Sequence, residues 1–239
     1  LRGAAGVTMN DVVLAIITGA LRSALLARGA VLPPGGLRAI APVSTRQPEQ
    51  RLQLGNLVAA MFPWLPVQIA DPVERLRCIA ADTRALKTRG QARAVSRAVG
   101  LLGMLPTPLA ALAGRLLDGH LTNTVCTNVP GPREARALLG MKITEVHPIV
   151  PLFFGMGVEF AILSYADRVS ISAVADPHLV SEIGSFAAWL QGAVAELRTA
   201  LTVPKPPAAP TADVPRVRDL MTRPVVTVSP DVSLAAVTQ

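Results

Sequence analysis

A Pro-Gly-Pro turn near the middle of the chain limits the fold more than any other feature of the sequence. The turn, at residues 130–132, follows a run of β-branched and small polar residues in the stretch TNTVCTNVPGPREARALLG. Residues 124–128 are typical of a buried strand, because a short run of this kind beside turn residues favours a strand over a helix. Two prolines without N–H groups would end such a strand abruptly and fix the loop that follows. The chain is therefore expected to contain a sheet whose buried strand stops at the turn.

The stretch TMNDVVLAIITGALRSALLARG, residues 8–29, contains the clearest helix signal. Thr8 and Asp11 form a capping-box pattern, and apolar residues then recur at helical spacing. Gly29 is placed to end the helix, because glycine readily adopts the left-handed conformation of a helix terminus.

Two further helices are predicted. In DPVERLRCIAADTRALKTRG, residues 71–90, Asp71 occupies the N-cap and Pro72 the first helical position. A last amphipathic helix is predicted between Pro177 and Thr202. Its apolar face comprises Leu179, Ile183, Phe186, Leu190, Val194 and Leu197.

Strand signals alternate with these helices. LRAIAPVSTR (residues 37–46) predicts a strand that runs into a loop, and LGNLVAAMFPWLPV (residues 54–67) predicts a second strand interrupted at Pro63. FAILSYADRVSISAVAD (residues 160–176) predicts two strands joined at residues 166–167. This alternation predicts an α/β layered domain.

Charge and composition narrow the range of partners. The 23 Lys and Arg against 16 Asp and Glu give a formal charge of +7, which favours an anionic partner such as a coenzyme or lipid headgroup. Only 3% of residues are aromatic, and no nucleic-acid-binding motif is present, so no nucleic-acid partner is expected. Cys78 and Cys126 are isolated and predict reduced thiols in the cytoplasm, with no metal site.

No signal peptide is evident and the sequence begins at Leu1, which predicts a fragment or a processed piece. Two apolar stretches, residues 98–114 and 149–166, are interrupted by prolines, glycines or Glu159 and are not expected to span a membrane. Residues 203–213 contain four prolines and predict a stiff linker between a domain of residues 1–202 and a short segment of residues 214–239.

Several motifs in the first 200 residues, taken together and in order, resemble the C-terminal half of bacterial wax ester synthase/diacylglycerol acyltransferases (WS/DGAT). The motifs are NDVVLAIITGALR (residues 10–22), APVSTR (41–46), GN (55–56), TNVPGPRE (127–134), PLFFG (151–155) and LSYADRVSISAVAD (163–176).

Within residues 214–239, VRDLMTRPVVTVSPDVSLAAV resembles the opening of a CBS domain. Complete CBS modules bind adenine nucleotides, but this segment is too short to bury a core, so no nucleotide binding is expected.

The WS/DGAT resemblance implies a chloramphenicol acetyltransferase-like fold, that of CoA-dependent acyltransferases. In that fold two similar α/β halves, each a two-layer sandwich, enclose a substrate tunnel. The resemblance also implies transfer of a fatty acyl group from acyl-CoA, the co-substrate, to diacylglycerol or a long-chain alcohol, with no tightly bound cofactor. The products are triacylglycerol and wax ester.

Acyl transfer to an alcohol needs a general base, because a hydroxyl is a poor nucleophile until its proton is removed. The resembled family supplies that base from a His-His-x-x-x-Asp-Gly motif in its N-terminal half, and this chain has no such motif. His120, His147 and His178 each stand alone. The chain alone is expected to be inactive and to need an N-terminal acyltransferase half as partner. The alternative is a non-catalytic interaction or regulatory module that retains the fold.

The resemblance also implies site residues. Asn10 and Asp11 match an Asn-Asp motif that the family places near its active centre, although both could serve only as a helix cap. The candidates for a substrate-binding wall are Thr127, Asn128, Pro130, Gly131 and Pro132, which could equally form a purely structural strand exit. Phe154 stands where many family members carry Asp, which predicts a difference in acceptor choice.

Basic residues cluster in one region: Arg75, Arg77, Arg84, Lys87, Arg89, Arg93 and Arg97. Arg89, Arg93 and Arg97 are spaced four apart, so on a helix they would share one face. That face, followed by an apolar stretch, predicts contact with an anionic membrane or lipid-droplet surface. The protein is then expected in the cytoplasm, peripheral at the inner membrane face or on lipid inclusions. A plain solvated helix face is the alternative.

Overall fold

The computed structural model describes residues 2–44, 58–91, 122–152 and 155–201. It separates the chain after Pro204 into two units, and all described residues belong to the first. The predicted linker and CBS-like segment lie outside the described residues. The same holds for several residues singled out by sequence: Gly55, Asn56, Arg93, Arg97, His120 and Phe154.

The described part alternates helices and strands, as the sequence predicts. The helices are α1 (Arg2–Ala5), α2 (Met9–Ala27), α3 (Pro72–Thr88) and α4 (Phe186–Ala200), the last preceded by a 3-10 turn at Ile183–Ser185. The strands are β1 (Leu37–Ser44), β2 (Val58–Met61), β3 (Trp64–Leu65), β4 (Thr124–Pro130), β5 (Ala137–Leu138), β6 (Met141–Lys142), β7 (Val158–Tyr165) and β8 (Arg168–Ala175).

The main sheet is mixed and has the strand order β2-β1-β4-β7-β8, with β3 also paired to β1. Strands β1, β4 and β7 run parallel in its centre, and β2 and β8 pair antiparallel at its edges. Helices α2, α3 and α4 pack against one another. Ala39, Cys126 and Phe160, from the three central strands, share one buried core with these helices. The result is one helical layer on one sheet.

Helix α2 lies at the centre of this core, and both of its predicted ends are confirmed. The Asp11 amide donates to Thr8 Oγ1 at 3.3 Å, and the Thr8 amide donates to Asp11 Oδ2 at 2.9 Å, which completes the capping box. After the helix, Gly29 adopts a φ of 65°. By length and composition α2 could cross a membrane, but 61% of its most apolar window is buried inside the protein, as in a central core helix.

Other local predictions are confirmed as well. Strands β2 and β3 flank Pro63, where the sequence predicts an interruption. The Asp71 side chain accepts the Glu74 amide at 2.6 Å and caps α3. Strands β7 and β8 meet at residues 166–167, and Ala166 adopts a φ of 51° in the turn.

The last helix begins later than the sequence predicts. Residues 177–182 form turns, and α4 starts at Phe186. The side chain of Asp176 accepts the His178 amide at 2.8 Å, and its carbonyl accepts the amides of Leu179 and Val180. Side-chain bonds of this kind compete with helix formation, so the helix is delayed. Leu179 is consequently exposed, whereas Phe186 and Leu197 are buried as predicted.

The predicted strand end at the Pro-Gly-Pro turn is confirmed, although the strand is two residues longer than the predicted 124–128. Strand β4 runs through Pro130, which pairs with Ser164 of β7. On the other side, β1 pairs with β4 only at Thr124 and Val125. A proline is tolerated at such a position, because the sheet requires no N–H donor from it.

The Pro-Gly-Pro turn is fixed against the β7–β8 hairpin. The Gly131 amide donates to Ser164 Oγ at 3.2 Å, and the Ala166 amide donates to the Pro132 carbonyl at 2.8 Å. A Cβ atom on Gly131 would overlap the backbone carbonyl oxygen of Ser164. Glycine is therefore required at the centre of the turn, and the turn cannot move independently of the hairpin.

Gly131→Ala is expected to lower the free energy of unfolding by about 1–3 kcal/mol, because backbone must shift to accept the methyl group. Ser164→Ala, which removes only the hydroxyl acceptor, is expected to cost about 0.5–1.5 kcal/mol. Urea unfolding followed by circular dichroism measures both changes. An alanine at position 131 that costs no more than Ser164→Ala would contradict the overlap.

Gly19 lies where the three long helices meet. A Cβ atom there would lie 2.9 Å from the Ala193 Cβ of α4 and 3.0 Å from the Arg75 Nη2 of α3. The alanine methyl has no rotamer to change, so the helices themselves would have to separate.

Gly19→Ala is expected to reduce the free energy of unfolding by about 1–3 kcal/mol, although alanine is the better helix former. Gly192→Ala in α4 is the matched control, because no atom lies within 4 Å of its added Cβ. That control should gain up to about 1 kcal/mol from helix propensity. Equal effects of the two substitutions in urea unfolding would refute close packing at Gly19.

Candidate functional site

The side chains of Asn10 and Asn128 meet at one end of the sheet. Asn128 Nδ2 donates to Asn10 Oδ1 at 3.2 Å, across a separation of 118 residues in the chain. Both side chains are half-buried. The sequence selects each residue from a different motif, and the structure brings the two together.

This pair lies at the carboxyl end of β4, beside the parallel strand β7. Asn10 is in the first turn of α2, so the N-terminus of the core helix points to the same place. In open α/β sheets, ligands commonly bind outside the carboxyl ends of parallel strands. The partial positive charge of a helix N-terminus also favours developing negative charge. The arrangement can therefore hold a polar or anionic group.

Asp11 is held by neighbours on both carboxylate oxygens. Oδ2 accepts the amide and hydroxyl of Thr8 at 2.9 and 2.6 Å, and Oδ1 accepts the hydroxyl of Thr83 on α3 at 2.6 Å. The residue is 3% exposed. Asp11 thus links α2 to α3 through hydrogen bonds and fixes the helical turn that carries Asn10. Sequence reasoning missed Thr83, whose only signal is a polar residue on the apolar face of α3.

An apolar groove of about 540 Å³ lies beside the first two turns of α2. This volume is within the range of roughly 300–1,000 Å³ that is typical of ligand pockets. We refer to it as the α2 groove; its principal lining residues are Met9, Val12, Val13, Ile16, Val169, Ile171, Val194 and Arg198. It begins at Met9, next to Asn10. The sequence does not predict it, because its walls come from α2, β8 and α4, with Gly3 of α1 and Asp167 of the β7–β8 turn at its margin.

The other residues predicted for the substrate-binding wall lie in different places from Asn128. Thr127 alternates with Asn128 along β4, so it belongs to the opposite face of the sheet and is not brought together with Asn10. Pro130 and Pro132 are exposed, and Gly131 is half-buried against the β7–β8 hairpin. Of this set, Asn128 is the residue that the described structure joins to Asn10 by a hydrogen bond.

The described histidines form no catalytic pair. His147 Nε2 lies 3.3 Å from Glu145, which also pairs with Arg168 at 2.8 Å, and all three side chains are more than half exposed. The His178 backbone amide bonds to Asp176 at the opposite end of the sheet. Among the residues that the structure describes, no group of three or more His, Cys, Asp or Glu could hold a metal ion.

Burial raises the pKa of the Cys126 thiol strongly, and the nearby Glu159 raises it further. A thiolate is the nucleophilic form of cysteine, and at neutral pH this group stays protonated. Cys126 is therefore a core residue of β4.

The basic region is smaller on the surface than the sequence predicts. Arg75 is 1% exposed, pairs with Glu196 at 3.0 Å and donates to the carbonyls of Ile69 and Ala70. The whole Arg75 side chain lies inside the helical layer, so Arg75 does not belong to the basic surface. Within this region, the described basic residues that are exposed are Arg77, Arg84, Lys87 and Arg89.

Comparison with known proteins connects this geometry to a family. The family model of the WS/DGAT C-terminal domain matches residues 54–198. "Probable diacyglycerol O-acyltransferase tgs1" of Mycobacterium tuberculosis H37Rv is 35% identical over 194 residues, which are 80% of this chain and 42% of that protein. Its counterpart in strain CDC 1551 is 34% identical over the same length. The chain thus spans less than half the length of these relatives.

A solved structure shows the same fold. The wax ester synthase/diacylglycerol acyltransferase from Marinobacter aquaeolei VT8 superposes with a TM-score of 0.67 and 24% identity, over 84% of this chain and 46% of that one. The predicted α/β class, a two-layer half of a CoA-dependent acyltransferase fold, is confirmed. The family model covers more than half of the chain, and with the sheet, the helical layer and the relatives it shows that this chain belongs to the WS/DGAT family, in which it corresponds to the C-terminal domain.

Proposed function

We propose that this chain forms the C-terminal half of an O-acyltransferase that moves a fatty acyl group from acyl-CoA to diacylglycerol or a long-chain alcohol. The products would be triacylglycerol or wax ester. The observation that carries the proposal is the Asn128–Asn10 hydrogen bond at the N-terminus of α2. Membership of the WS/DGAT family supports it.

In this reaction a base removes the proton of the acceptor hydroxyl while its oxygen attacks the thioester carbonyl. Negative charge develops on the carbonyl oxygen, and the bond to sulfur then breaks to release coenzyme A. Among the described residues no histidine contacts Asn10 or Asn128. We assign the base to the His-His-x-x-x-Asp-Gly motif of a separate N-terminal acyltransferase half.

The asparagine pair supplies donors for the developing charge. Because the amide oxygen of Asn10 accepts from Asn128, the two N–H groups of the Asn10 amide remain for another acceptor. The thioester carbonyl is the acceptor that this reaction provides. Preorganised donors of this kind typically contribute about 10²–10³ in rate. Asp11 and Thr83 hold the turn that carries Asn10 and act as positioning residues.

The α2 groove is suited to the hydrocarbon part of a substrate. Val12, Val13 and Ile16 form a continuous apolar wall that begins two residues from Asn10. An acyl chain placed along it would remove apolar surface from water, worth about 25 cal/mol per Å². The substrate would thus be held by its apolar chain and aligned by its polar end.

A complementation assay tests this function. The chain is co-expressed with the N-terminal half of the Mycobacterium tuberculosis relative, and radiolabelled palmitoyl-CoA is followed into triacylglycerol and wax ester. Product is expected from the mixture and from neither half alone. Asn10→Ala and Asn128→Ala should each lower kcat by about 10²-fold.

Asn123→Ala is the matched control, since Asn123 lies before the opposite end of β4 and accepts the Arg38 amide. It should leave kcat unchanged. Absence of product, with both halves folded and associated, would instead favour a non-catalytic interaction or regulatory module.

The proposal includes a location in the cytoplasm with peripheral contact to anionic lipid. Arg77, Arg84, Lys87 and Arg89 are exposed on and after α3, and Arg93 and Arg97 follow in sequence. Basic side chains near a surface attract anionic headgroups, and salt screens this attraction. Residues 214–239 are proposed to resemble the opening of a CBS domain, on sequence resemblance alone.

Liposome flotation is expected to recover the chain with vesicles that contain anionic lipid, less with neutral vesicles and less at high salt. Replacing Arg77, Arg84 and Lys87 together with alanine should reduce recovery, and replacing Glu74 with glutamine, which removes an exposed acid of the same helix, should not. Recovery that is independent of vesicle charge would refute the lipid contact.

A further inference from the structure

A long surface segment leaves the sheet directly after the candidate site. Residues 131–152, here termed the arm, are exposed or half-buried throughout. The arm contains the short hairpin of β5 and β6, which pairs Ala137 with Lys142 and Leu138 with Met141. Its exposed large apolar residues are Leu138, Leu139, Met141, Ile149 and Leu152. Such a cluster on one exposed segment is typical of an interaction surface.

The tip of the hairpin presents a leucine in an unfavourable backbone conformation. Leu139 and Gly140 have φ angles of 50° and 80°, the pattern of a two-residue type I′ turn. Asn, Asp or Gly are the usual residues at the first of these positions, and a bulky residue there is an outlier. Leu139 is nevertheless 90% exposed. The arm thus places an apolar side chain in water at a cost in backbone energy.

The base of the hairpin is fixed to the sheet. The buried Tyr165 hydroxyl accepts the Arg136 amide at 2.7 Å and donates to the Ile143 carbonyl at 2.9 Å. The Ile143 amide also donates to the Arg136 carbonyl at 2.8 Å. Both ends of the hairpin are therefore held by one side chain of β7. An interface element held in place before binding loses little conformational entropy on association.

The position of the arm indicates what covers it. It begins three residues after Asn128, at the end of the sheet where the candidate site lies. The described part of that site contains no histidine, and 58% of the M. tuberculosis relative lies outside the match, since the match covers 42% of it. A partner that completes the site must approach this end of the sheet. Charged residues such as Arg133 and Lys142 flank the apolar tip, as in the polar rim of an interface.

We propose that the arm is the docking element for the N-terminal acyltransferase half, and that Leu138, Leu139 and Met141 insert into an apolar pocket of that half. The proposal rests on the proposed function for the identity of the partner. Leu139 is the central anchor, because it is the most exposed of the three and stands at the tip. The outer residues of the arm exclude water around it.

Titration calorimetry between this chain and the N-terminal half of the M. tuberculosis relative tests the docking element without acyl-CoA. Leu139→Asp is expected to weaken association by roughly 30-fold, the usual loss at an interface anchor. Leu139→Gly should also weaken association while it preserves or improves thermal stability, because glycine accepts the left-handed conformation. This second variant separates the loss of the side chain from any loss of the turn.

Val31→Asp is the matched control, because Val31 is 92% exposed in the loop that follows the other end of α2. It should bind as the unsubstituted chain does. Unchanged affinity of both Leu139 variants, or no association of the two folded halves, would overturn the proposal. Concentration-dependent dimers of this chain that Leu139→Asp abolishes would also overturn it, in favour of a second copy. Association that depends on Leu139 but yields no product would refute only the proposed function.

Discussion

The buried carboxylate of Asp11 determines how the rest of the candidate site is arranged. It closes the cap of α2 through Thr8 and joins that helix to α3 through Thr83. An unpaired carboxylate would be costly to bury, so these hydrogen bonds fix both helices relative to each other. Asn10 precedes Asp11 and is carried by the same turn, so its contact with Asn128 depends on this cap. One acidic residue thus links the helical layer to the end of the sheet.

Arg75 plays a comparable role deeper in the helical layer. Its guanidinium reaches Glu196 of α4 and two carbonyls before α3, next to the glycine that allows α2 to approach. Arg75 is therefore one of the basic residues in the +7 balance that does not contribute to the basic surface. The apolar faces of the helices bury most of the surface that stabilises the helical layer. The ion pair and hydrogen bonds of Arg75 set the positions of the helices relative to one another.

Local chemistry explains which features could be predicted from the sequence. The Thr8–Asp11 cap, the Asp71 cap and the interruption at Pro63 each depend on residues that are close in the chain. The fold class follows from the alternation of such signals. The start of α4 was predicted too early, because the apolar repeat continues through residues that Asp176 holds in turns.

The missed features depend on contacts between distant segments. The bond between Asn128 and Asn10, the burial of Arg75 and the walls of the α2 groove all join elements that are far apart in the chain. No spacing rule within one segment can reveal which of two compatible partners a polar side chain will find. The motif resemblance selected Asn10 and Asn128 separately, and the packing of α2 against the sheet brings the two together.

That strand order also has a consequence for how the domain folds. Strand β4 lies between β1, which precedes it by about 85 residues, and β7, which follows it. Pairings of such long sequence separation form slowly, whereas the β7–β8 hairpin is local and forms quickly. During synthesis β1 emerges well before its central neighbour, and its inner edge has no partner until β4 arrives. The asparagine pair joins α2 to β4, so it cannot form before β4 has joined the sheet, and a domain that stalls earlier exposes the inner edge of β1 and has no site.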